Sequence, residues 1–199
     1  MALARDLVAA LRDGRPVRVP RYDKAAHGGR GDRAPPAEWA EVNGAGRPRV
    51  QVVVVEGWCV GFRALAAAQL RRRWEAAAAA ADAASTLWRY PLDALLSVNE
   101  RLAEYDVLTD RFDAFIHVDA EDTAHAFAWR LEQEAALRRE KGAGMTDEQV
   151  VRFVESYCPS YELYTDALRR GVVKGGDAKG RQLRLVVRKD RTVKEVIQI

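Results

Sequence analysis

The sequence predicts an α/β fold built on a largely parallel, doubly wound sheet with flanking helices, and two observations carry that prediction. The first is order: helix, loop, strand, helices, strand, helices and two closing strands follow one another along the 199 residues. The second is a valine-rich run, Val50 to Val55, β-branched at every position but Gln51 and ending in Glu56-Gly57. Such a run reads as a parallel strand buried on both faces, delivering one carboxylate to the C-terminal edge of the sheet. That edge is where doubly wound sheets bind their ligands, and Gly57 permits a sharp turn there.

The elements follow in sequence. Residues 2 to 13 form a helix, with Leu3, Leu7, Val8 and Leu11 at amphipathic spacing and Asp13-Gly14 as the stop. Val17 to Pro20 is a short extended entry to a loop from Arg21 to about Trp39, rich in Gly, Pro, Arg and Asp and without hydrophobic periodicity. A heavily charged loop between regular elements is a candidate for binding or chemistry. Asn43-Gly44 and Gly46 to Pro48 turn the chain into the Val50 strand.

Arg63 to Ala84 is helical on alanine and arginine propensity, and its low complexity marks a solvent-exposed, variable element; residues 63–90 are read as a helical insertion within one domain spanning 1–199. Pro91 opens a helix through Tyr105, and Phe112 to Val118 alternates as a strand running to Asp119-Ala120. A charged helix from Thr123 to Lys141 ends at Gly142 and Gly144. Thr146 followed by Gln149 is a capping-box pattern for the next helix, which breaks at Cys158-Pro159 and resumes through Leu168. Gln182 to Arg188 and Thr192 to Ile199 are strands joined by the polar turn Lys189-Asp190-Arg191.

Composition narrows the function. The chain is 48% hydrophobic, enough for one substantial core. Its 32 basic and 29 acidic residues leave a net charge of +3, a mixed surface that mildly favours anionic ligands and not a nucleic-acid tract. No run approaches the ~20 apolar residues of a membrane span. Asp6, Asp13 and the lack of serine set the N-terminal helix apart from a transit peptide. Two cysteines, Cys59 and Cys158, have neither metal-ligand nor disulfide spacing, so a reducing compartment is expected, the cytoplasm or, with an upstream segment, an organelle, and Cys59 reads as a packing residue. His27, His117 and His125 share no metal-ligand spacing.

Seven segments carry a resemblance. PRYDKAAHGGRGDR (Pro20 to Arg33), EGWCVGF (Glu56 to Phe62), VNERLAEY (Val98 to Tyr105), FIHVDAED (Phe115 to Asp122), WRLEQEAALRREKGAGMTDEQV (Trp129 to Val150), FVESYCPSYELY (Phe153 to Tyr164) and LRLVVRKDR (Leu183 to Arg191) resemble, in this order, the D-glycerate 3-kinase family. That family is related to the uridine kinase, pantothenate kinase and phosphoribulokinase group. The resemblance implies a P-loop NTPase fold of the kinase type and ATP-dependent, Mg²⁺-assisted phosphorylation of a small hydroxy acid, D-glycerate, to 3-phosphoglycerate. One departure stands out. The nucleotide-cradling pattern GxxxxGK[ST] occurs nowhere in the 199 residues, and the glycine clusters at His27 to Gly31 and Lys174 to Gly176 lack its ending. The resemblance therefore implies an N-terminally truncated kinase domain without the Walker A strand-loop-helix, inactive as an isolated chain; a non-catalytic binding or regulatory remnant is the alternative.

Residue by residue, the resemblance makes Glu56 the acidic group that orients Mg²⁺ or its water shell, with a carboxylate capping the next helix as the competing reading. Arg21, Tyr22, Asp23 and Lys24 stand where related kinases contact the phosphoryl acceptor, with Arg30, Asp32 and Arg33 extending the pocket. A cation for the carboxylate and hydrogen-bonding groups for the hydroxyls are the chemistry glycerate needs, and a solvated loop tied by local ion pairs is the competing reading. Arg130, Arg138 and Lys141 lie within about 80° on a helix of 3.6 residues per turn. The resemblance makes them a lid over the transferring phosphoryl group, with Arg130 and Arg138 in catalytic contact; Glu134 in the same arc allows an Arg130-Glu134-Arg138 ion-pair ladder instead.

Overall fold

The computed structural model describes residues 1–24, 26–29, 31–80, 85–142, 144–175 and 179–199, in two compact units, Met1–Val60 and Gly61–Ile199.

The first unit begins with helix α1 (Ala2–Arg12), followed by strand β1 (Val17–Val19). Next come β2 (Tyr22–Asp23), the short helix α2 (Ala26–Gly29) and β3 (Asp32–Arg33), then a 3₁₀ turn over Pro36–Glu38 and strand β4 (Ala40–Val42). Strands β1 and β4 pair antiparallel, Val17 with Val42 and Val19 with Ala40, and enclose a second antiparallel pair in which Tyr22 faces Arg33 and Asp23 faces Asp32. The segment expected as an irregular loop is thus a hairpin. Its short strands are held by backbone pairing that needs no hydrophobic alternation, so periodicity could not reveal it. Asn43 sits in the left-handed region at φ 56°, and its Oδ1 accepts the Val50 amide at 2.7 Å, which closes the turn.

Val50 to Val55 departs from expectation. The run is not part of any sheet among the described residues, and Val52 and Val54 are 77% and 83% exposed. A β-branched run reports a backbone that favours extension and burial. Becoming a strand also takes neighbouring strands on which to spend its hydrogen bonds, and none of the described strands pairs with it.

The second unit opens with helix α3 (Ala67–Ala80), a 3₁₀ turn over Leu87–Arg89, α4 (Leu92–Ala103) and α5 (Asp106–Thr109). Strand β5 (Phe115–Ala120) leads to α6 (His125–Lys141), α7 (Asp147–Glu155) and α8 (Cys158–Arg170), and β6 (Gln182–Val187) and β7 (Val193–Gln198) complete it. Strand β5 pairs parallel with β6, and β6 antiparallel with β7, giving the order β5-β6-β7. The α6–α8 segment is the crossover that a parallel pair requires. The fold is accordingly α/β, with a parallel pair and an antiparallel edge strand.

The α3 helix, expected to be solvent-exposed, is anchored on one side. Leu70 is fully buried, Arg73 Nη1 donates to the Leu163 carbonyl at 3.1 Å, and Trp74 Nε1 donates to the Tyr90 carbonyl at 2.9 Å. Residues 81–84, at the end of the expected helix, lie outside the described residues. Leu95, Leu102, Val150, Val154, Leu163 and Leu168 build the core around the fully buried Tyr164. The Asn99 amide is buried there, accepting from the Leu65 amide at 2.8 Å and the Tyr164 hydroxyl at 3.2 Å and donating to the Leu65 carbonyl at 2.9 Å. Burial alone pushes the Tyr164 phenol up to about 12.

The capping box forms as its spacing predicts: the Thr146 hydroxyl accepts the Gln149 amide while the Gln149 side chain accepts the Thr146 amide. Pro159 lies in the first turn of α8, where its missing N–H costs nothing. At Gly61, φ is +90°, and an added Cβ would stand 2.7 Å from the Phe115 ring and 2.8 Å from Leu168 Cδ1. Only glycine meets both demands.

Candidate functional site

The β2–β3 hairpin collects the residues expected to meet an acceptor. Arg21 Nη1 donates to Glu38 Oε2 at 3.0 Å, with both side chains about half exposed, so the guanidinium is lightly tethered at the surface. Tyr22 and Arg33 are cross-strand neighbours, and the Tyr22 ring lies so close to Gly31 that a Cβ there would meet its hydroxyl at 2.4 Å. Asp23 and Asp32 face each other across the pair, an arrangement that like charge disfavours. The His27 ring, 3.1 Å from Asp32 Oδ2, offsets part of that cost when protonated. Lys24 is an exposed turn residue. Arg30 lies outside the described residues.

Glu56 is exposed and follows a valine run that pairs with no strand among the described residues, so its carboxylate is not at the edge of a sheet formed by them. Among the described residues, no group of three or more His, Cys, Asp or Glu side chains could hold a metal. One exposed hard oxygen donor still fits Mg²⁺, which keeps several waters and takes one or two carboxylates beside substrate phosphates.

The basic face of α6 belongs to the second unit, and its arginines have partners there. Arg130 donates to Glu134 Oε1 at 2.5 Å and to Gln133 Oε1 at 3.0 Å, and its guanidinium lies 5.0 Å from the centroid of the Phe153 ring on α7. Arg130 Nε is buried and has no hydrogen-bond partner among the described residues. Arg138 donates to the Met145 carbonyl and, at 2.7 Å, to Asp147 Oδ1, tying α6 to the start of α7. Lys141 is exposed in the last turn of α6. The Arg130–Glu134 half of the ion-pair ladder is therefore present, while Arg138 turns to the α6–α7 connection.

A further charged group was not singled out from sequence. Asp119, 3% exposed on β5, accepts from Arg169 of α8 at 2.8 and 3.0 Å and from Arg184 of β6 at 2.7 Å. Burial pushes its carboxyl up, but the hydrogen bonds from Arg169 and then Arg184 outweigh this and leave it below the usual carboxylate range. His117, two residues earlier on the same buried face, has Nε2 3.9 Å from Asp119 Oδ1 and a buried Nδ1 without a partner among the described residues. Its pKa is lowered, chiefly by burial, with Arg184 and Arg169 adding to the effect and Asp119 opposing it. The alternation of His117 and Asp119 in β5 was the one available signal, since two polar side chains on the inward face need buried partners. Those partners stand 50 and 65 residues away.

Both thiols are pushed up, mainly by burial, as befits packing residues and not activated nucleophiles. No helix among the described residues is long and apolar enough to cross a membrane.

No family model matches the chain. An uncharacterized kinase of Schizosaccharomyces pombe is 36% identical over 157 residues, which cover 78% of this chain and 52% of that protein. The chloroplastic D-glycerate 3-kinase of Arabidopsis thaliana is 35% identical over 167 residues, covering 83% of this chain and 32% of that one. Among solved structures, D-glycerate 3-kinase from Cryptococcus neoformans superposes with a TM-score of 0.81 at 32% identity, covering 100% of this chain and 65% of that chain. The chain spans about half the length of the first of these relatives and about a third of the second.

Proposed function

From the premise that this chain is a homologue of the D-glycerate 3-kinases, we propose that it forms the acceptor-binding and lid portion of a kinase that phosphorylates D-glycerate to 3-phosphoglycerate. The observation that carries the reading is the likeness over the whole chain to a solved D-glycerate 3-kinase.

In this reading the hairpin binds the acceptor. Arg21 or Lys24 meets the glycerate carboxylate, Tyr22 and Asp23 take its hydroxyls, and Arg30, Asp32 and Arg33 line the remainder. The exposure of the Arg21–Glu38 pair supports this role, because a lightly tethered guanidinium can exchange partners at small cost. ATP is the donor. Glu56 would hold Mg²⁺ directly or through water, and the ion would neutralise charge on the phosphates. Arg130, Arg138 and Lys141 on the α6–α7 hairpin supply positive charge for the transferring phosphoryl group. In-line transfer then depends on positioning more than on covalent help from the protein. In this reading the protein acts in a reducing compartment, the cytoplasm or an organelle, where reduced thiols persist.

Because the 199 residues hold no GxxxxGK[ST] pattern, the isolated chain is expected to show little or no turnover. The same observation favours a second reading, a non-catalytic protein that binds the acceptor or an anion. A coupled ADP-release assay with Mg-ATP and D-glycerate separates them, run on this chain and on a version extended upstream in its reading frame. Turnover by the extended form alone supports the kinase reading. Inertness of both, with glycerate still bound by the chain, supports the second. Inertness without binding removes the acceptor assignment, and activity in the short chain removes the expectation that it is inactive.

A further inference from the structure

Resting on the lid reading just given, we infer that Glu134 is a positioning residue that sets the Arg130 guanidinium to receive a phosphoryl oxygen. Glu134 sits in mid-helix on α6 and is only 3% exposed, although a buried carboxylate is costly unless its oxygens are satisfied. Both are. Oε1 accepts from Arg130 at 2.5 Å, one turn earlier, and Oε2 accepts the Met145 amide at 3.2 Å, in the connection to α7. The connection fits closely around it: a Cβ on Gly144 would come 3.1 Å from Glu134 Oε2 and 3.0 Å from Arg138 Cγ.

Arg130 is held in consequence on two sides. Glu134 and Gln133 take terminal nitrogens at its edge, while Phe153 of α7 lies under its face, and nearly a third of the side chain, 31%, still reaches solvent. A terminal guanidinium nitrogen carries two hydrogens, so donors remain after one from each nitrogen is engaged. An arginine fixed in this way loses less freedom when it binds an anion than one that must be ordered at that moment. The same carboxylate, considered only as a charge, would repel a phosphate. Positioning and simple neutralisation therefore predict opposite signs when the charge is removed.

The test titrates the 199-residue chain with inorganic pyrophosphate, following the arginine Nε–H signals by NMR, for wild type, Arg130→Gln and Glu134→Gln. The glutamine can still accept the Met145 amide but loses the charge that holds Arg130. The expected result is pyrophosphate binding weakened roughly threefold or more in both variants, since each loses the pre-ordered guanidinium. Equal or tighter binding by Glu134→Gln, with Arg130→Gln weakened, overturns the role of Glu134 and leaves the lid reading standing. Unchanged binding by Arg130→Gln, or no binding by wild type, overturns the lid reading and this inference with it. Should Glu134→Gln fail to fold, the wild-type signal decides. An Arg130 Nε–H that is ordered before pyrophosphate and shifts on its addition supports the assignment, and one that is averaged beforehand or does not move overturns it.

Discussion

Asp119 of β5 and Arg169 of α8 form a bidentate ion pair, Oδ2 to Nε at 2.8 Å and Oδ1 to Nη2 at 3.0 Å, with the carboxylate nearly sealed from solvent. Arg184 shares the same carboxylate from the neighbouring strand. One acidic side chain thus joins the crossover helix to both strands of the parallel pair.

Replacing Asp119 by Asn should be costly, because two guanidinium groups lose the charge that compensates their partial burial. Removing one partner of a buried pair costs about 3–5 kcal/mol, and since both arginines still touch solvent, a loss near about 3 kcal/mol is expected. Equilibrium urea unfolding of the second unit's signal measures it. A loss below about 1 kcal/mol would mean that the arginines find water as a substitute.

His117 makes stability depend on pH in a definite direction. Its folded pKa lies below the unfolded value of about 6.5, so between the two the unfolded chain binds more protons than the folded one. Its contribution is fully present above the unfolded pKa and is lost as pH falls toward the folded one. The acid-side slope of unfolding free energy just below pH ~6.5 should therefore be shallower in His117→Gln than in wild type. Asp119, whose folded pKa is also depressed, acts in a lower window: its contribution holds above the unfolded carboxylate value and disappears as pH falls through the folded one. Identical profiles for wild type and His117→Gln above pH ~5 would remove the assignment to His117.

Gly61→Ala should destabilise by roughly 2–4 kcal/mol, combining the left-handed backbone penalty with overpacking against Phe115 and Leu168. Thermal unfolding of this variant beside Gly46→Ala provides the comparison, because Gly46 has a similar positive φ but open space around its Cβ position. A drop no larger than that of Gly46→Ala would show that the Phe115 and Leu168 side chains yield.

Local chemistry made much of this molecule readable. The Thr146–Gln149 box, the amphipathic spacing in α1, the Pro91 start of α4, and the strands at Phe115–Ala120, Gln182–Val187 and Val193–Gln198 all depend on residues a few positions apart. The D-glycerate 3-kinase resemblance was readable for a related reason, as short segments kept in order. The β2–β3 hairpin escaped because two-residue strands are too short to show a period. Val50 to Val55 was over-read, since its composition states a preference and its neighbours decide whether that preference becomes a strand.

The charges follow the same division. Sequence placed Arg130, Glu134 and Arg138 on one arc of α6, because helix geometry alone determines that arrangement. Only the folded chain decided that Glu134 would be buried, that Arg138 would turn to Met145 and Asp147, and that Arg169 and Arg184 would meet on Asp119. Periodicity acts over one or two turns of backbone, whereas the partner of a buried charge is chosen by the three-dimensional packing that takes it out of water.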